Sequence, residues 1–68
     1  MPNYYVNKNP QPSGQHEVHE TTCNRGALPQ NQKDLGWHSS CSGAVTLAKT
    51  HYPTADGCEY CSKACSNG

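Results

Sequence analysis

The sequence predicts a small α+β domain held by a metal ion as much as by its core. It would comprise an N-terminal β-hairpin, a short third strand, one main helix, and a C-terminal Cys-x-x-Cys knuckle running into a short helix. Three observations point there. Two short Tyr/Val-containing segments flank a loop of prolines and glycine, and a later segment carries small and apolar residues at helical spacing. The chain is also short, 68 residues with 32% hydrophobic residues, no Phe and one Trp, yet it has five cysteines. A chain of this size hides only about 60% of its unfolded surface. Burial then roughly balances ordering entropy, so such chains commonly add disulfides or a metal.

The first strand is expected over Asn3 to Lys8 and the second over Gln15 to Thr22, joined by Asn9-Pro10-Gln11-Pro12-Ser13-Gly14. Alternation puts Tyr4, Val6 and Lys8 on one face and Tyr5 and Asn7 on the other, with His19 pointing opposite to Val18. From Asn24 to Asp34 the sequence is polar and interrupted by Gly26 and Pro29, which suits an irregular connection with one helical turn. Leu35 to Ser39 reads as a third strand whose Trp37 packs on the hairpin, a large aromatic being most of the burial on offer. The main helix runs from Cys41 to Tyr52, with Ser39 or Ser40 as N-cap and Pro53 beyond its end. Cys41, Ala44, Val45, Ala48 and Tyr52 recur at steps of three and four and form its buried stripe. Pro53 to Gly57 reads as a turn, and Cys58 to Ser66 as the knuckle and terminal helix. Residues 1–68 make a single domain, with no internal repeat.

The cysteine and histidine spacing carries the chemistry. A structural zinc ion takes four thiolate or imidazole ligands in a tetrahedron, two commonly from a tight knuckle and two from a distant element. Cys58-Glu59-Tyr60-Cys61, following the turn-forming Asp56-Gly57, is such a knuckle. His19 and Cys23 lie four apart at the end of a strand and can reach one ion across a turn. The pattern is therefore His-x-x-x-Cys, 34 intervening residues, then Cys-x-x-Cys. Cys65, one helical turn after Cys61, is an alternative fourth ligand that would replace His19. Cys41 falls on the helix stripe, where free cysteine packs as a small hydrophobe. His16, His38 and His51 read as ordinary surface or half-buried residues, His16 being the one that a bent strand could bring to the site.

Nothing in the chain approaches the roughly 18 apolar residues of a membrane span, and the N-terminus lacks the apolar run of a signal peptide. The expectation is a soluble, monomeric, cytoplasmic protein. Grouped cysteines in reducing cytosol are more often metal ligands or reactive thiols than a disulfide framework, and an odd number leaves one unpaired. Five basic and five acidic residues cancel. Lys8, Arg25, Lys33, Lys49 and Lys63 are spread singly, so the basic patch of a nucleic-acid binder is missing.

The order of these parts resembles a known family. Tyr5-Val6-Asn7-Lys8-Asn9 at the start, Val18-His19 followed by Cys23, the Leu35 to Ser39 strand, a helix carrying Ala44 to Lys49, and Asp56-Gly57-Cys58-x-x-Cys61 look like the small metal-binding fold related to the N-terminal domain of the Ada DNA-repair protein. Many bacterial relatives of that fold occur alone or attached to nucleases and surface proteins. The resemblance implies that His19, Cys23, Cys58 and Cys61 are the zinc set. Ada itself has an all-cysteine site in basic, DNA-binding surroundings, whereas here the first ligand position is His19 and the charge is balanced.

Two functions follow as expectations. One is a non-catalytic zinc module that mediates protein or nucleic-acid interaction and folds only with its metal. The alternative is a reactive-thiol protein, an alkyl acceptor or redox responder, using Cys61 or Cys65. In that case Ser62 would cap a helix from Lys63 and place Cys61 at its positive end. No Ser, His and Asp arrangement distinguishes itself as hydrolytic, and an enzyme with turnover is not expected.

Overall fold

The computed structural model describes residues 3–23 and 26–66. Its elements are β1 (Asn3–Asn7), β2 (His16–Glu20), a 3-10 turn at Pro29–Asn31, β3 (Gln32–Trp37), α1 (Cys41–His51), β4 (Ala55–Gly57) and a 3-10 turn at Lys63–Cys65. The four strands form one sheet in the order β3-β1-β2-β4, broadly matching the α+β expectation with one strand more than foreseen. β1 pairs antiparallel with β2 and β3, and β2 pairs parallel with β4. The expected connection after Cys23 begins at Asn24 and Arg25, which lie outside the described residues.

Strand alternation sorts the hairpin into two faces. Tyr4, Val6 and Val18 join Leu35, Ala44, Val45, Ala48 and Ala55 in a core between sheet and helix. Each fully buried valine contributes about 1.5–3 kcal/mol. Tyr5 and His19, cross-strand partners in the register, face the other way. The expected helix stripe is the observed one: Ala44, Val45 and Ala48 are buried, with Cys41 and Tyr52 packed at the core's edge. Ser40 is the N-cap residue, but its hydroxyl pairs with Ser42 Oγ at 2.8 Å instead of accepting from a first-turn amide. At the other end the Tyr52 amide donates to Ala48 O before Pro53 stops the helix.

Three expectations need correction. Trp37 does not pack on the hairpin; it is 48% exposed. The β1–β3 register slips between Tyr4 and Tyr5, where Leu35 is the extra residue, and Gly36 takes a φ of +78°. This bulge turns Leu35 into the core and leaves Trp37 opposite Asn3 at the end of an edge strand, about half exposed. The second correction concerns Ala55-Asp56-Gly57, which is a buried parallel strand instead of part of a turn. Its residues have little strand preference, and pairing with His16, Glu17 and Val18 overrides that.

The third correction is covalent. Cys41 and Cys65 form a disulfide across Cα atoms 6.2 Å apart, so neither is the free thiol expected from a reducing compartment. Closing this loop, 24 residues in sequence separation, removes about 3–4 kcal/mol of unfolded-state entropy. The bond ties the first turn of α1 to the last 3-10 turn.

That turn lies hard against Gly57. A Cβ at this position would come within 2.8 Å of Ser62 O and 2.9 Å of the Cys65 Cβ, both in a segment already pinned by the disulfide. Gly57→Ala is therefore expected to lower the unfolding free energy by about 1–3 kcal/mol, the usual cost of overpacking. Denaturant unfolding with the disulfide intact measures it, and an unchanged midpoint would show that the segment yields freely.

Candidate metal centre

Each of the four candidate ligands reaches the same point by a different local device. His19 sits on β2 with its side chain on the face away from Val18, and it is 1% exposed. After β2 the chain turns at once: the Thr21 amide donates to Asn3 O and the Cys23 amide to Glu20 O, both at 3.0 Å. That turn returns Cys23 beside the strand end. Cys58 follows β4 directly, and its amide donates to Val18 O at 2.9 Å, one step beyond the parallel ladder. Ser62 N–H then donates to Cys58 O at 2.9 Å, closing the knuckle that presents Cys61.

The ligand atoms of His19, Cys23, Cys58 and Cys61 all lie within 4.8 Å of one another. A tetrahedron with sulfur and nitrogen ligands at about 2.0–2.3 Å has edges of about 3.5–3.8 Å. The His19 Nδ1 to Cys61 Sγ separation, 3.9 Å, is already near that length. Closing the remaining gaps from at most 4.8 Å to these edges needs about 1.0–1.3 Å of approach. The spacing therefore suits a single ion, and the donor types, three thiols and an imidazole, are those of tetrahedral sites.

Backbone amides point at the sulfurs. Glu20 N–H donates to Cys61 Sγ at 3.3 Å, Tyr60 N–H donates to Cys58 Sγ at 3.4 Å, and Ser62 Oγ lies 3.7 Å from Cys61 Sγ. Such donors favour the thiolate. Burial opposes them at Cys61 and raises its pKa above the usual thiol value, outweighing the lowering by Glu20 N–H and Ser62. Without an added positive charge this sulfur holds its proton.

Burial acts on His19 in the opposite electrical sense. It lowers the imidazole pKa, and the neighbouring Glu17 carboxylate only partly offsets it, so the ring is neutral as a ligand must be. Glu17 Oε1 lies 3.4 Å from His19 Nε2. The carboxylate thus favours the tautomer with its proton on Nε2 and leaves Nδ1, on the Cys61 side, free to donate its lone pair. Tyr5 closes the site from its own face of the sheet: its ring centroid is 5.4 Å from that of His19, and its hydroxyl accepts from Ala27 N–H at 3.0 Å. Burial is the largest cause of its raised pKa, and the three thiols of the cluster add to it.

The structure therefore brings together the whole expected set and separates the rest. Cys65, the alternative ligand, is withdrawn into the disulfide with Cys41. His16 stays out: its Nδ1 is 2.9 Å from Asn7 O and its ring stacks on Tyr52 at 4.1 Å. His38 Nε2 is 2.9 Å from Leu35 O, and His51 is exposed. The helix expected to activate Cys61 is a 3-10 turn of three residues, and the Ser62 side chain does not cap it. The sequence alone assigns neither Glu17 nor Tyr5 a part in the site. Strand periodicity does place Glu17 on the face of His19, but the Tyr5 contact needs the β1–β2 register.

Fold and site define a small α+β domain carrying a Cys3His cluster that could hold a metal ion. Comparison with protein families, curated proteins and solved structures found no match to this chain. No helix among the described residues is long and apolar enough to cross a membrane.

Because folding holds His19 neutral, protons bind the unfolded chain more readily. Its contribution to stability is full above the unfolded value of 6.5 and is lost as pH falls below that. For the chelator-treated chain, the urea midpoint is expected to drop between pH 7 and pH 5, and His19→Gln to flatten that slope. Parallel slopes for the two chains would mean that His19 is not the titrating group.

Proposed function

We propose that this chain is a non-catalytic structural zinc module. The reading is carried by one observation: ligand atoms from two segments far apart in sequence converge within 4.8 Å in the order His19, Cys23, Cys58, Cys61. Three thiolates and an imidazole match zinc in type and number, and four protein ligands leave no open position for a substrate. The amides donating to Cys58 and Cys61, and the Glu17 carboxylate behind His19, supply the outer support that such centres use.

The module's role is to present a surface. Trp37 and Tyr60 stand exposed, Tyr60 at the tip of the knuckle, and the balanced charge favours a protein partner over nucleic acid. Kinship with the Ada-like metal-binding fold is proposed on the sequence motifs alone, above all the order His19, Cys23, Cys58, Cys61. The single chain is proposed to act as a monomer. The disulfide, which reducing cytosol tends to cut, pulls against the cytoplasmic expectation. The reactive-thiol alternative is disfavoured: Cys65 has no free thiol, and burial of Cys61 outweighs the donors that favour its thiolate.

The purified chain is expected to carry one zinc ion, and Cys58→Ser to lose stoichiometric zinc. Free metal at a thousandfold excess over Kd stabilises by about 4 kcal/mol. For a domain of this size that amounts to a fall in Tm of about 15–30 °C on chelation. Elemental analysis and thermal unfolding test this. A chain without metal, whose melting ignores both zinc and chelator, would reject the reading.

A further inference from the structure

We propose that the Cys41–Cys65 disulfide controls the metal site, so that cutting it weakens zinc binding and filled zinc protects it from reduction. The proposal rests on the zinc reading above and adds to it a redox input. Its basis is the position of the bond in the chain. Residues 58–66 supply half the ligands on a short, largely exposed run: Glu59, Lys63 and Ala64 are exposed, and Ser62 is the buried residue between Cys58 and Cys65. What holds this segment is a series of short links. The Cys58 amide donates to Val18 O, the Ser62 amide to Cys58 O, and the Cys65 amide to Ser62 O, each at 2.9 Å; the disulfide then fixes the far end to α1.

The run is thus tied by a backbone bond at the Cys58 end and by the disulfide at the Cys65 end. With Cys65 bonded to Cys41, the turn that carries Cys61 is fixed on both sides, and metal binding orders little. With the bond cut, the far end keeps its packing against Gly57 and the Glu20 N–H bond to Cys61 Sγ but loses its covalent tie, and binding must restrain it further at the expense of affinity. Cys41 and Cys65 are each partly buried at the edge of the core, so the reductant considered is a small thiol. Two thiol molecules reduce the bond in two steps: the first attacks one sulfur and forms a mixed disulfide, and the second displaces it. Both protein sulfurs end as thiols, and the two reductant molecules leave joined as their own disulfide.

Coupling of this kind is reciprocal. If the disulfide raises zinc affinity by a given factor, zinc shifts the disulfide's reduction equilibrium by the same factor. We expect about tenfold, inside the roughly 5–150-fold range common for coupled sites.

Two measurements on the full chain test it. Zn2+ affinity, from competition with a chromophoric chelator, is compared between the oxidised chain and the Cys41→Ser/Cys65→Ser double variant. The reduction midpoint of the wild-type disulfide is then measured in glutathione buffers with and without Zn2+, counting alkylated thiols by mass after acid quench; this needs no variant to fold. The expected results are about tenfold weaker binding by the double variant, and a zinc-dependent shift toward more reducing buffer by the same factor. A glutathione midpoint that zinc leaves unmoved overturns the coupling, as do affinities that agree within twofold. In either case the oxidised wild-type chain still binds one Zn2+ and the zinc reading stands. An oxidised chain that binds none removes both.

Discussion

Cys58 donates its amide to Val18 O, and through that bond the end of the chain lies beside the middle of β2. The rest of the architecture follows from this parallel pairing. Gly57 opposite Val18 puts Cys58 next to the residue after Val18, which is His19. Parallel strands need a long connection between them. Here it contains β3 and α1, and these supply most of what covers the core face of the hairpin. One register therefore sets both the helix–sheet packing and the convergence of the four ligand groups.

The sheet divides the labour between its faces. Tyr4, Val6 and Val18 meet the helix, while Tyr5 and His19, one residue away on each strand, face the cluster. The core so formed is narrow, with alanine at Ala44, Ala48 and Ala55, and its edges are finished by sulfur. Cys41 and Cys65 close one end covalently, while Cys23, Cys58 and Cys61 stay reduced and gather around His19. The same element thus serves two kinds of staple, and which sulfur does which is decided by tertiary placement.

Much of this was legible in the sequence because it is periodic or punctuated. The hairpin follows from alternation around a Pro and Gly loop, and the helix stripe from residues at steps of three and four. The candidate ligands follow from the Cys-x-x-Cys and His-x-x-x-Cys spacings, which left Cys65 open as the fourth. What escaped prediction has no local signature. Pairing of Cys41 with Cys65 requires knowing that the last turn lies over the first turn of α1. The strand Ala55–Gly57 is made by its partner and not by its own residues. Trp37 is displaced by a bulge at Leu35 that simple alternation does not foresee. Alternation puts Glu17 on the face of His19, but its 3.4 Å approach to Nε2 depends on side-chain placement that spacing does not give.

The central claim is that His19, Cys23, Cys58 and Cys61 surround one ion while Cys65 remains bonded to Cys41. X-ray absorption at the zinc edge of the metal-loaded, oxidised chain tests it most directly. The account predicts a shell of three sulfurs at about 2.3 Å and one nitrogen at about 2.0–2.1 Å. A shell of four sulfurs, or of nitrogen and oxygen alone, would contradict it.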